Sequence, residues 1–312
     1  MILPHFIDEP VTRLDSFTKV SVRTTTGFLY SYRLNRKVSQ ALQKIKADFF
    51  ISIDRVFKNK ANQTVLLTGL KPTLKTQELE KAKLVLVCSQ HMKTTIGAQN
   101  KLGLQKIFVV HGGPSKIFEP IDEEMKSLIK EKYTEGKEFF IYRGRVKEEN
   151  NIVLLLKAFS LFKKRQKSSM KLLLMGQVFW QNNDFKELLT TYKYRDDVVL
   201  ITDEVIGQEA SILATAYAMV QPHLENNLFA FDAMQCGVPV LSIQNPPLKE
   251  ITTDGVLFFN ANNEADIADK MMLIYKDEAL RSQLIEKGKN LVENYSWKKT
   301  LDIAVTAFAN QI

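Results

Sequence analysis

Phe139-Phe-Ile-Tyr142, Ile152-Val-Leu-Leu-Leu-Lys-Ala-Phe159 and Lys171-Leu-Leu-Leu-Met175 follow one another between residues 139 and 175. The first and third are short and apolar and lack strict polar alternation, the pattern of strands covered on both faces. Between them, residues 152–166 repeat apolar positions at helical spacing. Strand, helix and strand in that order build one unit of a parallel α/β sheet.

The same alternation continues outward. Downstream, helices are expected at 184–192, 208–217 and 230–236, with strands at Val198–Ile201, Ala218–Val220 and Val238–Ser242. A strand at Val256–Phe259 and helices at 264–276 and 278–292 follow, and Ser296 is a candidate N-cap for a last helix, 297–309. Upstream, residues 120–138 are polar and helical in pattern, like a linker. Before them, Phe49–Ile53, Thr64–Thr68, Leu84–Cys88 and Ile107–Val110 read as buried strands, with helical patterns at Tyr30–Lys46 and Gln77–Lys83. A chain of 312 residues suits two cores better than one. The expected fold class is α/β: two Rossmann-like domains facing a cleft, with ligands at the carboxyl ends of the strands.

Composition narrows the function. Apolar residues make up 45% and charged residues 25%, an ordinary globular balance. The net charge of +8 sits in the first part of the chain, since residues 1–123 carry +9 and the remainder −1. Such a half suits a phosphorylated or acidic partner or an anionic membrane surface, or is simply a solvated face. The basic residues are dispersed without interleaved aromatics, which disfavours nucleic acid. Met1–Pro10 has no basic leader and no long apolar run, so no signal peptide is expected, and no run approaches the roughly 20 apolar residues of a span. Cys88 and Cys236 stand far apart without metal-type spacing, so a reducing cytoplasm, no disulfide framework and no zinc are expected.

Glycine turns after strands, opening onto helices, are ready anion sites. The candidates are Gly144-Arg145, Gly176-Gln177 and His111-Gly-Gly113; each alone is as readily an ordinary turn. More informative is Glu225 followed by Asp232-Ala-Met-Gln-Cys-Gly-Val-Pro-Val240, which puts a carboxylate on a helix ending in Cys-Gly, though a simple cap would read the same.

The order of these segments resembles the retaining glycosyltransferases of group 1, family 4-like, which have the GT-B fold. The resemblance runs through Tyr142-Arg-Gly-Arg145, Met170-Lys-Leu-Leu-Leu-Met-Gly176, Val199-Leu-Ile-Thr-Asp-Glu-Val205, Tyr217-Ala-Met-Val-Gln-Pro222, the Asp232–Val240 segment, Lys249-Glu-Ile251 and Tyr295-Ser-Trp297. It covers residues 105–312 well and 28–104 loosely. It implies a donor domain at 123–296, a short acceptor-side domain at 1–122, and a C-terminal helix, 297–312, crossing back to the latter. It implies no cofactor and no metal.

By the same resemblance, an Arg and a Lys five positions apart neutralise the donor diphosphate. Arg145 fills the first place; Asn150 stands at the second, with Asn151 where glycine is usual, and Lys147 is a substitute from the same loop. Val205 falls where the family approaches the nucleotide base. Asp232 stands for the glutamate that holds the ribose hydroxyls, and Glu225 for the carboxylate near the transferred sugar. Gly112 and Gly113 would line the donor side of the cleft. Residues 226–230 replace a glycine-rich turn in a loop two residues short, and Thr68-Gly-Leu-Lys-Pro72 has no histidine where relatives carry one.

Two readings follow. The first is a hexosyltransferase using a UDP- or GDP-linked sugar and a glycan or lipid-linked acceptor, cytoplasmic or peripheral at the inner face of a membrane. The second is a degenerate relative that binds a nucleotide, glycan or protein without turnover. A homodimer that covers the open sheet edges is a further expectation.

Overall fold

A computed structural model describes residues 30–309 except 47–48, 59–60, 68–73, 75, 100–102, 181–183, 203–206, 224–227 and 261. The chain divides into two compact units, one of residues 1–87, 92–109 and 307–312, the other of 88–91 and 110–306.

The first unit contains α1 (Tyr30–Lys44), β1 (Phe49–Ile53), β2 (Asn62–Leu67), α2 (Thr76–Leu79), β3 (Leu84–Val87), most of α3 (Gln90–Gln99) and β4 (Ile107–Val109). Its four strands are all parallel and stand in chain order, β1-β2-β3-β4. Val65, Val85, Val87 and Ile107 are fully buried, with Met92 and Ile96 of α3 packed into the same core. The helix expected at Gln77–Lys83 is a single turn, because the Lys83 N–H donates to Gln63 O at 2.8 Å and draws the backbone into β3. The return from β1 to β2 is too short for a crossover helix. Gln63 steadies it from inside: its Nε2 donates to Ser52 Oγ at 2.7 Å, and its Oε1 accepts from the Phe57 N–H at 3.2 Å.

The second unit runs α4 (Glu123–Thr134), β5 (Phe139–Arg143), α5 (Ile152–Gln166), β6 (Lys171–Met175), α6 (Asp184–Thr191), β7 (Val198–Ile201), α7 (Glu209–Thr215) and β8 (Ala218–Gln221). It continues with α8 (Leu228–Gln235), β9 (Val240–Ile243), α9 (Pro246–Thr252), β10 (Val256–Phe259), α10 (Glu264–Lys276), α11 (Glu278–Val292) and α12 (Trp297–Ala309), the last three residues of which group with the first unit. The order β10-β9-β8-β5-β6-β7 is wholly parallel and reverses direction between β5 and β8. Ligands of doubly wound sheets bind outside the carboxyl ends of the strands at such a reversal. Among the described strands of the first unit there is none.

Aromatic packing dominates this core. Phe140, Phe159 and Phe162 are fully buried, and Phe162 meets Phe140 and Tyr275 edge-on at 5.2 and 5.4 Å. Burial of each such ring contributes about 1.5–3 kcal/mol. Caps fix the helix starts. Asp122 Oδ1 accepts from the Met125 N–H, and Ser296 Oγ from the Lys299 N–H, as expected for the last helix. Helix α9 was not anticipated, although Asn245, which accepts from the Leu248 N–H, and Pro246 at the first helical position are its start signals. The strand expected at Val238–Ser242 begins at Val240, because the Val238 N–H is taken by Ala233 O at the end of α8. Among the described residues no helix is long and apolar enough to cross a membrane.

Candidate functional site

At the reversal, β5 ends in Arg143 and β8 in Gln221, and the Gln221 amide donates to Arg143 O at 2.7 Å. The chain leaves β5 through Gly144, whose φ of +145° is costly for any side-chain-bearing residue. The turn after β6 comes even closer: a Cβ on Gly176 would lie 2.1 Å from Gly144 O. The two glycines therefore permit two strand-end loops to touch. The Val146 N–H then donates to Gln177 O, and the Phe179 N–H to Val146 O, lacing the loops together.

The loop from 144 to 151 presents Arg145 outward and half-buries Lys147. The Arg145 guanidinium lies 5.5 Å from the ring of Phe179, which is 53% exposed. Asn150 does not point outward with them. It is 1% exposed, and its Nδ2 donates to Arg145 O at 2.9 Å and to Tyr142 Oη at 3.2 Å, while the Tyr142 hydroxyl also donates to Arg145 O. Asn151 sits at φ +58°, a conformation asparagine tolerates better than most residues, and its Nδ2 donates to Pro222 O at the end of β8. Among the described residues no side chain caps the N-terminus of α5 that follows.

Asp232, on α8, reaches the same place with both carboxylate oxygens engaged. Oδ2 accepts from Arg143 Nη1 at 2.7 Å, and Oδ1 accepts from the Ser115 N–H at 3.1 Å. Arg143 is 14% exposed, its guanidinium carbon lies 4.5 and 4.6 Å from the ring centroids of Phe118 and Phe229, and it approaches Glu209 at 3.5 Å. Burial pushes the Asp232 carboxyl above the ordinary carboxylate range, and Arg143 opposes that rise. Sequence reasoning missed Arg143 because the strand was ended at Tyr142; a charged residue closing a buried parallel strand just before glycine was the available signal.

Gly112 and Gly113 lie against the start of α12. Gly112 has φ +73°, its N–H donates to Thr300 Oγ1, and a Cβ on Gly113 would lie 2.7 Å from Ser296 Cα. Beside them His111 meets the Tyr295 ring edge-on at 5.3 Å, and Tyr295 stacks on Phe231 of α8 at 4.8 Å. The second unit thus brings Arg145, Lys147, Asn150 and Asp232 to the loops around one strand-order reversal. Glu225 and Val205 lie outside the described residues. Among the described residues no three His, Cys, Asp or Glu side chains gather as a metal site.

A doubly wound parallel sheet with its charged groups at the reversal defines an α/β protein of the Rossmann-like class. The chain belongs to the group 1 glycosyltransferases, the family model for which matches residues 124–291. D-inositol 3-phosphate glycosyltransferase of Arthrobacter sp. (strain FB24) is 25% identical over 180 residues, covering 55% of this chain and 42% of that protein. O-antigen chain mannosyltransferase B of Escherichia coli is 22% identical over 236 residues, covering 74% and 62%. The chain thus spans less than two thirds of the length of these relatives. Among solved structures, Anabaena HepE in complex with UDP-glucose has a TM-score of 0.73 at 14% identity, covering 93% of this chain and 86% of that one. Sucrose-phosphate synthase from Thermosynechococcus elongatus has a TM-score of 0.77 at 16% identity, covering 93% and 82%. These likenesses place the chain in the GT-B fold.

Proposed function

We propose that the protein is a retaining, metal-independent hexosyltransferase, family 4-like, that moves a hexose from a UDP- or GDP-linked donor to a glycan or lipid-linked acceptor. Residues 123–296 act as the donor domain, and 1–122 with 297–312 as the acceptor side. The carrying observation is the strand-order reversal, beside which stand Arg145, Lys147 and the N-terminus of α5, a setting that supports assigning the diphosphate to them. Fixed positive charge stabilises a departing diphosphate without a metal, because it is already in place when the charge develops. The hexose C1–phosphate oxygen bond breaks, the acceptor oxygen bonds to C1 on the same face, and the acceptor proton passes to the departing phosphate. Glu225 is assigned to the sugar, Val205 to the base side and Asp232 to the ribose; Asn150 supports the loop that carries Arg145. The solved HepE complex with UDP-glucose supports a nucleotide-sugar donor, and the mannosyltransferase relative a glycan acceptor.

Calorimetric titration of UDP-glucose and GDP-mannose tests the donor, and release of free nucleotide on adding acceptor glycans tests turnover. Binding without release favours the degenerate reading, for which the buried Asn150 in place of a charge is the specific support. Absence of binding at millimolar donor sinks the hexosyltransferase. On the other side, α1 carries Arg33, Arg36, Lys37 and Lys44, has no acidic residue, and exposes Tyr30 and Tyr32, which supports peripheral binding to an anionic membrane. Co-sedimentation with phosphatidylglycerol vesicles but not with phosphatidylcholine vesicles is the expected result.

A further inference from the structure

The side chain of Arg143 is 14% exposed and that of its partner Asp232 8%, and nothing proposed so far uses Arg143. We infer that Arg143 is a positioning residue: it fixes the Asp232 carboxylate in place as the charged acceptor for the ribose diol of a nucleotide sugar. The inference rests on the donor-site reading above.

Several contacts hold Arg143. Its guanidinium lies over the rings of Phe118 and Phe229, Gln221 holds the backbone carbonyl of the same residue, and Nη1 makes a short bond to Asp232 Oδ2. The Ser115 N–H fixes the other carboxylate oxygen. Each carboxylate oxygen has two acceptor directions, and the described residues fill one on each. Two parallel acceptors on one carboxylate match the spacing of a vicinal diol. A carboxylate aimed this way is useful only while charged, since a protonated one turns an acceptor into a donor.

Among the described residues the groups acting on Asp232 are few. Arg143 favours its charge, Glu209 opposes it across the same guanidinium, and the Cys236 thiol, just past the end of α8 and itself near Glu119 and Arg143, stays neutral with a pKa pushed up to about 12. Burial also favours the neutral acid. Without Arg143, the Ser115 N–H alone opposes desolvation and Glu209, and the carboxyl takes up its proton at a higher pH. Binding that needs the carboxylate is lost as pH falls through that midpoint, so removing Arg143 moves the loss upward in pH.

The test titrates UDP-glucose and GDP-mannose, whose diester phosphates stay ionised from about pH 5 to about pH 8, into wild type, R143M, R143K, D232N and the double variant R143M/D232N. R143M is expected to weaken the donor at least about tenfold near pH 6 and to recover toward pH 8, with R143K between it and wild type. In the D232N background the same change is expected to cost less than about twofold, because its route of action is gone. An equal loss in both backgrounds, or a loss independent of pH, overturns the inference. A wild type that binds neither donor overturns the donor-site reading together with it. A wild type that binds beside an unaffected R143M overturns the inference alone. If thermal melting shows R143M to be unfolded, R143K at the two pH values carries the same comparison.

Discussion

The side-chain amide of Asn150 donates to the carbonyl oxygen of Arg145 at 2.9 Å from a position that is almost wholly buried. The place where the resemblance sets a second cation is therefore an internal brace. It ties the end of a 3-10 turn (Glu148–Asn150) to the start of the same loop and, through Tyr142, to β5.

Replacing Asn150 by Ala removes that brace and leaves Arg145 O with one donor fewer. The expected loss is about 1–3 kcal/mol of unfolding free energy, read by urea denaturation. Asn150→Lys, which restores the charge, must bury an ammonium at the same place. It is expected to lower stability without improving donor affinity; a tighter-binding lysine variant would show that the loop can turn the side chain out.

Gly176→Ala is expected to be more damaging than its size suggests. The added methyl meets Gly144 O at 2.1 Å, and the backbone sits at φ +145°. Strain and overlap together cost about 2 kcal/mol or more. Thermal denaturation should show a fall of several degrees, and an unchanged melting temperature would mean the two loops separate freely.

Arg145→Ala removes an exposed guanidinium whose side chain, among the described residues, meets the Phe179 ring. Stability should stay within about 0.5 kcal/mol, while donor affinity falls about tenfold, the value of one charge-assisted contact. Affinity that survives the change would move the diphosphate away from this loop.

Both cysteines are buried, and burial holds the Cys236 thiol up at about 12. Raising a thiol pKa depletes the thiolate at every lower pH, so at pH 8 only about one Cys236 in ten thousand is reactive. An aromatic disulfide reagent should modify Cys236 only after denaturant is added; rapid native modification would show that α8 opens on that timescale.

Much of the second unit was legible because its apolar runs are long and its helices carry their own start signals. The helix over 152–166 and the strand over 171–175 fall where periodicity put them. What misled was local: Lys83 was counted into a helix because its pairing to Gln63 is a contact between distant segments. The site was legible in its members more than in their roles. Sequence order marks Asn150 as a missing charge and Asp232 as a carboxylate, but neither reveals that one faces inward and the other is already held by Arg143.

The partnership of β5 with β8 aligns Phe140 with Ala218, across nearly 80 residues of intervening chain. Closing so large a loop costs entropy before any contact repays it, and such pairings form late. A nascent chain halted after β7 would carry Arg143 on a bare central strand with no Asp232 to meet it. The Arg143–Asp232 pairing proposed to hold the donor therefore does not form in a chain that stops before β8, and such a chain should be prone to aggregate through that open strand instead of retaining a weakened site.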